Sequence, residues 1–223
     1  MVYDFHTHTT LSDGELLPIE LIRRALVNKY PAIALTDHAA TGELNRIIQE
    51  TAEACALARS HWNILAIPGI ELTHVPADAI AEAAKKAKEL GAWIVVVHGE
   101  TIVEPVENST NLVALHSPHV DILAHPGLLS LEEAQLAATN GIFLEISARK
   151  GHCLTNGHIA SLAQQVGAKL LLNSDAHNEH DLLTTSLATA IARGAGLDDI
   201  TCRQVLTLNP RALIKNLPAG YRG

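Results

Sequence analysis

Residues 4–9 read Asp-Phe-His-Thr-His-Thr, DFHTHT in one-letter code, and they follow the hydrophobic pair Val2 and Tyr3. The run predicts a short strand. Residues two apart in a strand share a face, so His6 and His8 present two imidazoles in one direction. Two imidazoles fixed on a rigid element are half of a divalent-metal site. The fold is decided by recurrence of the same event, an apolar run that ends in a metal-competent side chain.

Six further strand-like runs follow, near 32–36 (AIALT), 64–70 (ILAIPGI), 93–98 (WIVVVH), 121–125 (DILAH), 142–146 (IFLEI) and 169–173 (KLLLN). Helical patterns lie between them. Pro18 stands near the start of one with Ile19, Ile22 and Leu26 on a common face, and Leu44, Ile47, Ile48, Thr51 and Cys55 repeat at helical spacing in the next. Pro76 opens a third that stops at Gly91, Ser130 with Glu133 forms a capping-box pattern, and NGHIASLAQQVG (156–167) reads as a capped helix. Seven continuous apolar strands, mostly followed by helices, predict parallel β/α units covered on both faces.

The strand ends then choose between an open sheet and a barrel. Asp13 lies just after the first strand, Asp37 and His38 end the second, and Glu71 and His74 follow the third. His98 ends the fourth and His125 the fifth; Glu145, Arg149 and Lys150 belong to the sixth, Asp175 and His177 to the seventh. In a closed or nearly closed (β/α) barrel all these ends converge on one mouth, whereas an open sheet would string them along an edge. A set of neutral imidazoles and bridging carboxylates suits a polynuclear metal site.

Composition is that of an ordinary enzyme. The chain has 223 residues, 48% of them hydrophobic, enough for a full core, and no linker or repeat divides it, so a single domain over 1–223 is expected. A net charge of −8 without any Lys/Arg block argues against a nucleic-acid polymer or an anionic membrane as the main partner. An anionic small molecule stays compatible if metals supply positive charge locally. WIVVV at 93–97 is too short to span a bilayer and the N-terminus lacks a signal-peptide pattern, so a cytoplasmic location is expected. Cys55, Cys153 and Cys202 are odd in number and far apart, which predicts free thiols.

HTHTTLSDG, TDHA, PGIE, VVVHG, LAHPG and NSDAH occur in the order and approximate spacing of the PHP (polymerase and histidinol phosphatase) family. The chain resembles that family, and its histidinol-phosphatase-like members in particular, from about residue 3 to residue 177. The resemblance implies a distorted (β/α)7 barrel with the metal site at the C-terminal ends of the strands and up to three divalent ions. Carried over by position, it implies one ion on His6, His8, Glu71 and Asp175, and a second that shares Glu71 and adds His98 and His125. The third takes Asp13, His38 and His177. Asp13 stands where many phosphatases of the family have His, which gives the third ion an oxygen ligand and retunes that site.

Zn, Mn or Fe suits such a donor set better than Mg alone, with two to three ions per chain. The nucleophile expected from it is a hydroxide bridging two ions, so no Ser or Cys nucleophile is needed. Arg149 is the candidate for gripping a substrate phosphate, because its fork can hold two oxygens; Lys150 and His152 are lesser candidates. Asp37 and Glu145 are expected to orient ligands or cap loops. His74 is read as a solvent-exposed loop residue, and His61, His116, His119, His158 and His180 as surface or helix-end residues. The favoured function is hydrolysis of a small phosphate monoester, histidinol-phosphate-like or nucleotide-like. An amidohydrolase-like or phosphodiesterase reaction on the same site, and a non-catalytic metal-stabilised regulatory module, are the alternatives. The substrate and the oligomeric state are not legible.

Overall fold

A computed structural model describes residues 1–218. Its sheet comprises β1 (Tyr3–Asp4), β2 (Ala32–Leu35), β3 (His38–Ala39), β4 (Leu65–Leu72), β5 (Ile94–His98), β6 (Ile122–Ala124), β7 (Phe143–Ser147) and β8 (Leu170–Asn173). The two-residue β3 resumes the line of β2 past Thr36 and Asp37 and pairs with the upper half of β4. The sheet therefore has seven positions in the order β1-β2-β4-β5-β6-β7-β8, all parallel.

The seam between β1 and β8 is closed only near the top. Thr7 bridges to Ala176, His8 N–H donates to Ala176 O at 2.8 Å and Asp175 N–H to His6 O at 2.9 Å. Lower down, side chains replace the ladder: Phe5 N–H donates to Asn173 Oδ1 at 3.0 Å and Ser174 N–H to Asp4 Oδ1 at 3.1 Å. The result is a nearly closed (β/α) barrel, as the strand ends predict.

Helices α1 (Pro18–Val27), α2 (Leu44–His61), α3 (Ile80–Glu89), α4 (Thr110–His116), α5 (Leu131–Asn140), α6 (Asn156–Val166) and α7 (Thr185–Gly194) cover the strands, followed by α8 (Asp199–Arg203) and α9 (Asn209–Lys215). A π turn over Gln204–Leu208 joins the last two. Ser130 and Glu133 make the expected capping box at α5, and Gly141 and Gly167 end α5 and α6 in the left-handed conformation that glycine adopts without cost. The third helical run starts later than Pro76 suggests, with a 3-10 turn over Ala77–Ala79 before α3, and α6 begins without a side-chain cap.

Two apolar layers hold the barrel. The outer one packs helices on the sheet, as where Ile47, Ile48 and Cys55 of α2 join Ile33, Leu35 and Ile70. The inner one contains Phe5, Ala34, Ile67, Val96, Ala124, Phe143 and Leu171, and Leu213 and Leu217 at the chain's end join it. Asn209 Nδ2 donates to Leu170 O at 2.8 Å, which fixes α9 where β8 begins. That end of the barrel is thereby plugged and the opposite end left for chemistry.

Period-two alternation carries the inner face upward from apolar to polar: Ile67 to Glu71 on β4, Val96 to His98 on β5, Phe143 to Glu145 on β7 and Leu171 to Asn173 on β8. Two ligand candidates need more than alternation. His125 and Asp175 have φ of 28° and 53°, a strained conformation for residues other than glycine, which turns both off the strand line. Among the described residues no helix is long and apolar enough to cross a membrane.

Candidate metal centre

The centre is built from the ends of β1, β3, β4, β5, β6 and β8. Its first loop doubles back because residue 14 is glycine: a Cβ there would stand 2.5 Å from the His8 carbonyl oxygen. Asp37 holds that loop down, accepting from Thr9 N–H at 2.7 Å, Thr9 Oγ1 at 2.9 Å and Ser12 Oγ at 2.7 Å. Of the two roles the sequence allows Asp37, it is a loop clamp, and the loop is the first one. Asp13 is thereby returned to the mouth, with Oδ1 3.5 Å from His38 Nε2 and Oδ2 3.3 Å from His177 Nε2.

Eight of the nine expected ligands fall into compact groups of facing donor atoms. His8, Asp13, His38 and His177 form one, His6, Glu71 and His125 a second, and His6, His8 and Asp175 a third. Glu71 is central: Oε1 lies 3.2 Å from His6 Nε2 and 3.8 Å from His125 Nε2, and Oε2 lies 3.7 Å from His8 Nε2. Asp175 Oδ1 is 3.1 Å from His8 Nε2 and Oδ2 is 3.7 Å from His125 Nε2. His98, the ninth, lies beside His125 with ring centroids 4.5 Å apart, yet its Nε2 faces Glu104 at 3.6 Å.

Neighbouring groups fix the far nitrogens of two of these rings. Glu145 Oε2 is 2.9 Å from His6 Nδ1 and also accepts from Asn173 Nδ2 at 2.8 Å. Thr73 Oγ1 and Glu71 Oε2 lie 2.7 and 2.6 Å from His38 Nδ1. Such partners set the tautomer that leaves Nε2 as the lone-pair donor.

The donor set fits divalent ions on one decisive observation. His6 Nε2, both nitrogens of His8, His125 Nδ1 and Glu71 Oε1 are buried without a hydrogen-bond partner. Buried polar atoms are almost always paired, and these, although close together, meet no partner in hydrogen-bond geometry. His6 Nε2, His8 Nε2 and Glu71 Oε1 gather with Asp175 Oδ1 and His125 Nε2 about one point where a cation would fit, while the Nδ1 atoms of His8 and His125 lie on the other side of their rings.

The electrostatics of Glu71, His8 and His125 agree with that reading, and those of His6 and Asp175 run against it. Burial would push the Glu71 carboxyl up, but the His6 and His38 imidazoles hold it well below the usual carboxylate range. Burial, reinforced by His38, drives His8 well below the ordinary imidazole range, and burial with His98 does the same for His125. His6 goes the other way: burial lowers it, but Glu71, Glu145 and Asp175 together raise it well above that range. Ionised Glu71 with neutral His8 and His125 is the protonation state in which these groups bind metal. Burial raises Asp175.

Arg149 lies inside this constellation and only a third of its side chain is exposed. Its Nη1 donates to Asp175 O at 3.1 Å and sits 2.7 Å from His177 Nδ1, and Nε is 3.7 Å from Asp175 Oδ2. His152 differs from the loop cation expected of it. It is buried, its ring centroid is 4.2 Å from that of His125, and Thr101 Oγ1 lies 3.0 Å from its Nδ1. Burial lowers its pKa, so it is a neutral imidazole in the wall of the site. Lys150 is exposed, as are His61, His74, His116, His158 and His180, while His119 is half-buried.

Glu104 is the residue that sequence reasoning passed over. Its carboxylate reaches from the connection after β5 to 3.5 Å from His74, 3.6 Å from His98 and 3.8 Å from His152. The bond with His98 holds it down to about 2. Its only sequence signal is position, six residues past His98 in a connection that must open at the mouth.

A parallel barrel with imidazoles and carboxylates gathered at its open end defines the class of metal-site (β/α) barrels. Within it, the PHP domain model matches residues 4–165, and the chain belongs to that family. An uncharacterized protein of Methanocaldococcus jannaschii is 48% identical over 97% of this chain and all of its own length. A protein of Thermoanaerobacter sp. strain X514 described as a probable phosphatase is 27% identical over 89% of this chain and 88% of its own. Among solved structures, a chain of archaeal ribonuclease P with mature tRNA superposes with a TM-score of 0.72 at 14% identity, covering 95% of this chain and 90% of that one. At that identity the likeness is one of fold.

Proposed function

We propose that the chain is a metal-dependent phosphoesterase that hydrolyses a small phosphate monoester. The observation that carries this is the set of buried atoms without a hydrogen-bond partner, His6 Nε2, His8 Nε2 and Glu71 Oε1, gathered with Asp175 and His125 Nε2 at one point of the mouth. Two to three divalent ions, Zn, Mn or Fe, would be held by His6, His8, Asp13, His38, Glu71, His98, His125, Asp175 and His177. Glu71 would serve two of the ions, and His98 would have to leave Glu104 to join the set. When bound, the ions supply Lewis acidity and a water ionised near neutral pH.

The protein's own contribution is positioning. Glu145 and Asn173 lock the His6 ring, Thr73 locks His38, and Asp37 holds the loop that carries Asp13. Arg149, at the edge of the mouth, exchanges its contacts with Asp175 and His177 for two oxygens of the substrate phosphate. No Ser or Cys nucleophile enters, and the phosphoryl group is hydrolysed by water.

The test is elemental analysis of protein purified without chelator, followed by a screen of sugar, amino-alcohol, aryl and nucleotide monoesters with Mn or Zn added. Two to three ions per chain and turnover of a monoester are expected. Absence of metal together with no activity restored by either ion would refute the reading. Cleavage of diesters or amides alone would assign the same site to another hydrolase reaction.

A further inference from the structure

His98 is one of the nine expected ligands, yet it belongs to none of the compact donor groups. Its Nε2 faces Glu104 at 3.6 Å and its Nδ1 lies 3.1 Å from Gly99 O. His152, which is not among the nine, does belong to one. A ring nitrogen of His152, one of His125 and a carboxylate oxygen of Asp175 all lie within 4.8 Å of one another, and all three residues are buried.

Two connections hold the His152 ring. Gly151, with φ of 94°, turns the backbone after β7 so that a 3-10 turn begins at His152. A Cβ at Gly151 would come 3.2 Å from Val103 Cγ2, so the connection after β7 touches the one after β5. From the latter, Thr101, itself buried, places Oγ1 3.0 Å from His152 Nδ1, and its own N–H donates to Gly99 O at 2.8 Å. A hydroxyl that accepts the Nδ1 proton leaves the lone pair on Nε2. That Nε2 stands 3.8 Å from Glu104 Oε2, beyond hydrogen-bond reach.

Asp175 completes the arrangement. Its Oδ1 is 3.1 Å from His8 Nε2 and its Oδ2 3.7 Å from His125 Nε2, so the two oxygens serve two parts of the centre. Glu71 Oε1 is 3.8 Å from the same His125 atom. Donors on one four-coordinate ion stand roughly 3.3–3.6 Å apart, and the spacings around His125 are close to that. A ring that only filled the wall would need neither a fixed tautomer nor a nitrogen set among carboxylates.

We infer that His152 is a tenth metal ligand, binding the second ion through Nε2 together with His125, with Asp175 as a second bridging carboxylate beside Glu71. The second ion is then held without His98 leaving Glu104. The inference rests on the metal-centre reading and adds a donor to it.

The experiment reads metal binding and not turnover. Metal-free protein is titrated with Zn²⁺ against a chromogenic chelator. Protein loaded with Co²⁺ is followed by proton NMR, in which the ring N–H of a bound imidazole gives a hyperfine-shifted, exchangeable signal. His152→Phe keeps a ring in the wall and removes the donor, Thr101→Val keeps the donor and removes the partner of Nδ1, and His61→Phe on the exposed end of α2 is the control. Affinity for one of the ions should fall about 100-fold in His152→Phe, a single ligand's share of a four-ligand site, and about 10-fold in Thr101→Val. The control should bind as wild type does. One N–H signal should vanish from the cobalt spectrum of His152→Phe and broaden by exchange in Thr101→Val. The double variant should bind no more weakly than His152→Phe, because the hydroxyl acts through the ring.

Thermal unfolding in EDTA confirms that the variants fold, and should His152→Phe fail to, the affinity and the signal of Thr101→Val decide the question. Wild-type affinity for every ion in His152→Phe, with the full set of N–H signals, would overturn the inference and leave the centre on its nine ligands. A wild type that binds neither Zn²⁺ nor Co²⁺ would overturn the metal-centre reading itself.

Discussion

Glu145 offers the sharpest test of how this barrel prepares its ligands. It is fully buried on β7, and one oxygen is shared by His6 Nδ1 at 2.9 Å and Asn173 Nδ2 at 2.8 Å. Asn173 in turn accepts from Phe5 N–H across the β1–β8 seam. Replacing Glu145 with Gln keeps the shape and an acceptor oxygen for both donors but removes the charge that makes His6 a stronger base. Removing such a carboxylate partner lowers metal affinity by about 10- to 100-fold, or ~1.4–2.7 kcal/mol. Glu145→Ala goes further and strands two buried donors, at about 1–3 kcal/mol each in folding stability. Competition against a chromogenic chelator reads the affinity, and thermal unfolding in the presence of EDTA reads the stability. The expected order is wild type, Gln, Ala in both. Glu145→Gln binding metal as tightly as wild type would refute the argument that this bond tunes His6, and an Ala variant as stable as wild type would refute the accounting of stranded donors.

Glu71→Ala should lose metal and activity together by elemental analysis and turnover, whereas Ala at the exposed His61 should lose neither; equal metal content in Glu71→Ala and wild type would remove Glu71 from its bridging role. Arg149→Ala should keep its metals and lower kcat/KM by one to three orders of magnitude, matching a charge-assisted contact of about 1.5–4 kcal/mol, with Lys restoring only part because it lacks the fork. Unchanged turnover of an aryl phosphate would free Arg149 from phosphate binding. Burial pushes the Cys55 thiol up to about 12 from an ordinary 9.0, and Cys153 is partly exposed, so a thiol reagent at pH 8 should label Cys153 and spare Cys55 in the folded protein. The same shift makes the unfolded chain lose the proton first, so the Cys55 contribution to stability is intact below pH 9 and declines between 9 and 12. Rapid modification of Cys55 at pH 8 would contradict its burial.

The barrel was legible in the chain because parallel strands covered on both faces must be continuous apolar runs, and the closure was legible because metal-competent residues stood at strand end after strand end. Local chemistry also specified the capping box of Ser130 and Glu133 and the helical faces of α1 and α2, since these depend on neighbours a few residues away. Tertiary structure alone decided the rest. It buried His152 against His125 and Thr101, although its sequence neighbours Gly151 and Cys153 give no hint of a wall position. It brought Glu104 to three imidazoles, His74 past β4, His98 at the end of β5 and His152 past β7, a convergence that no periodicity encodes. It made Glu145 the partner of His6 across 139 residues and Arg149 the neighbour of His177. A strand's alternation fixes which face a side chain takes, but which residues meet across the mouth depends on the stagger of seven strands and the left-handed turns at His125 and Asp175. Those are settled only when the whole barrel packs.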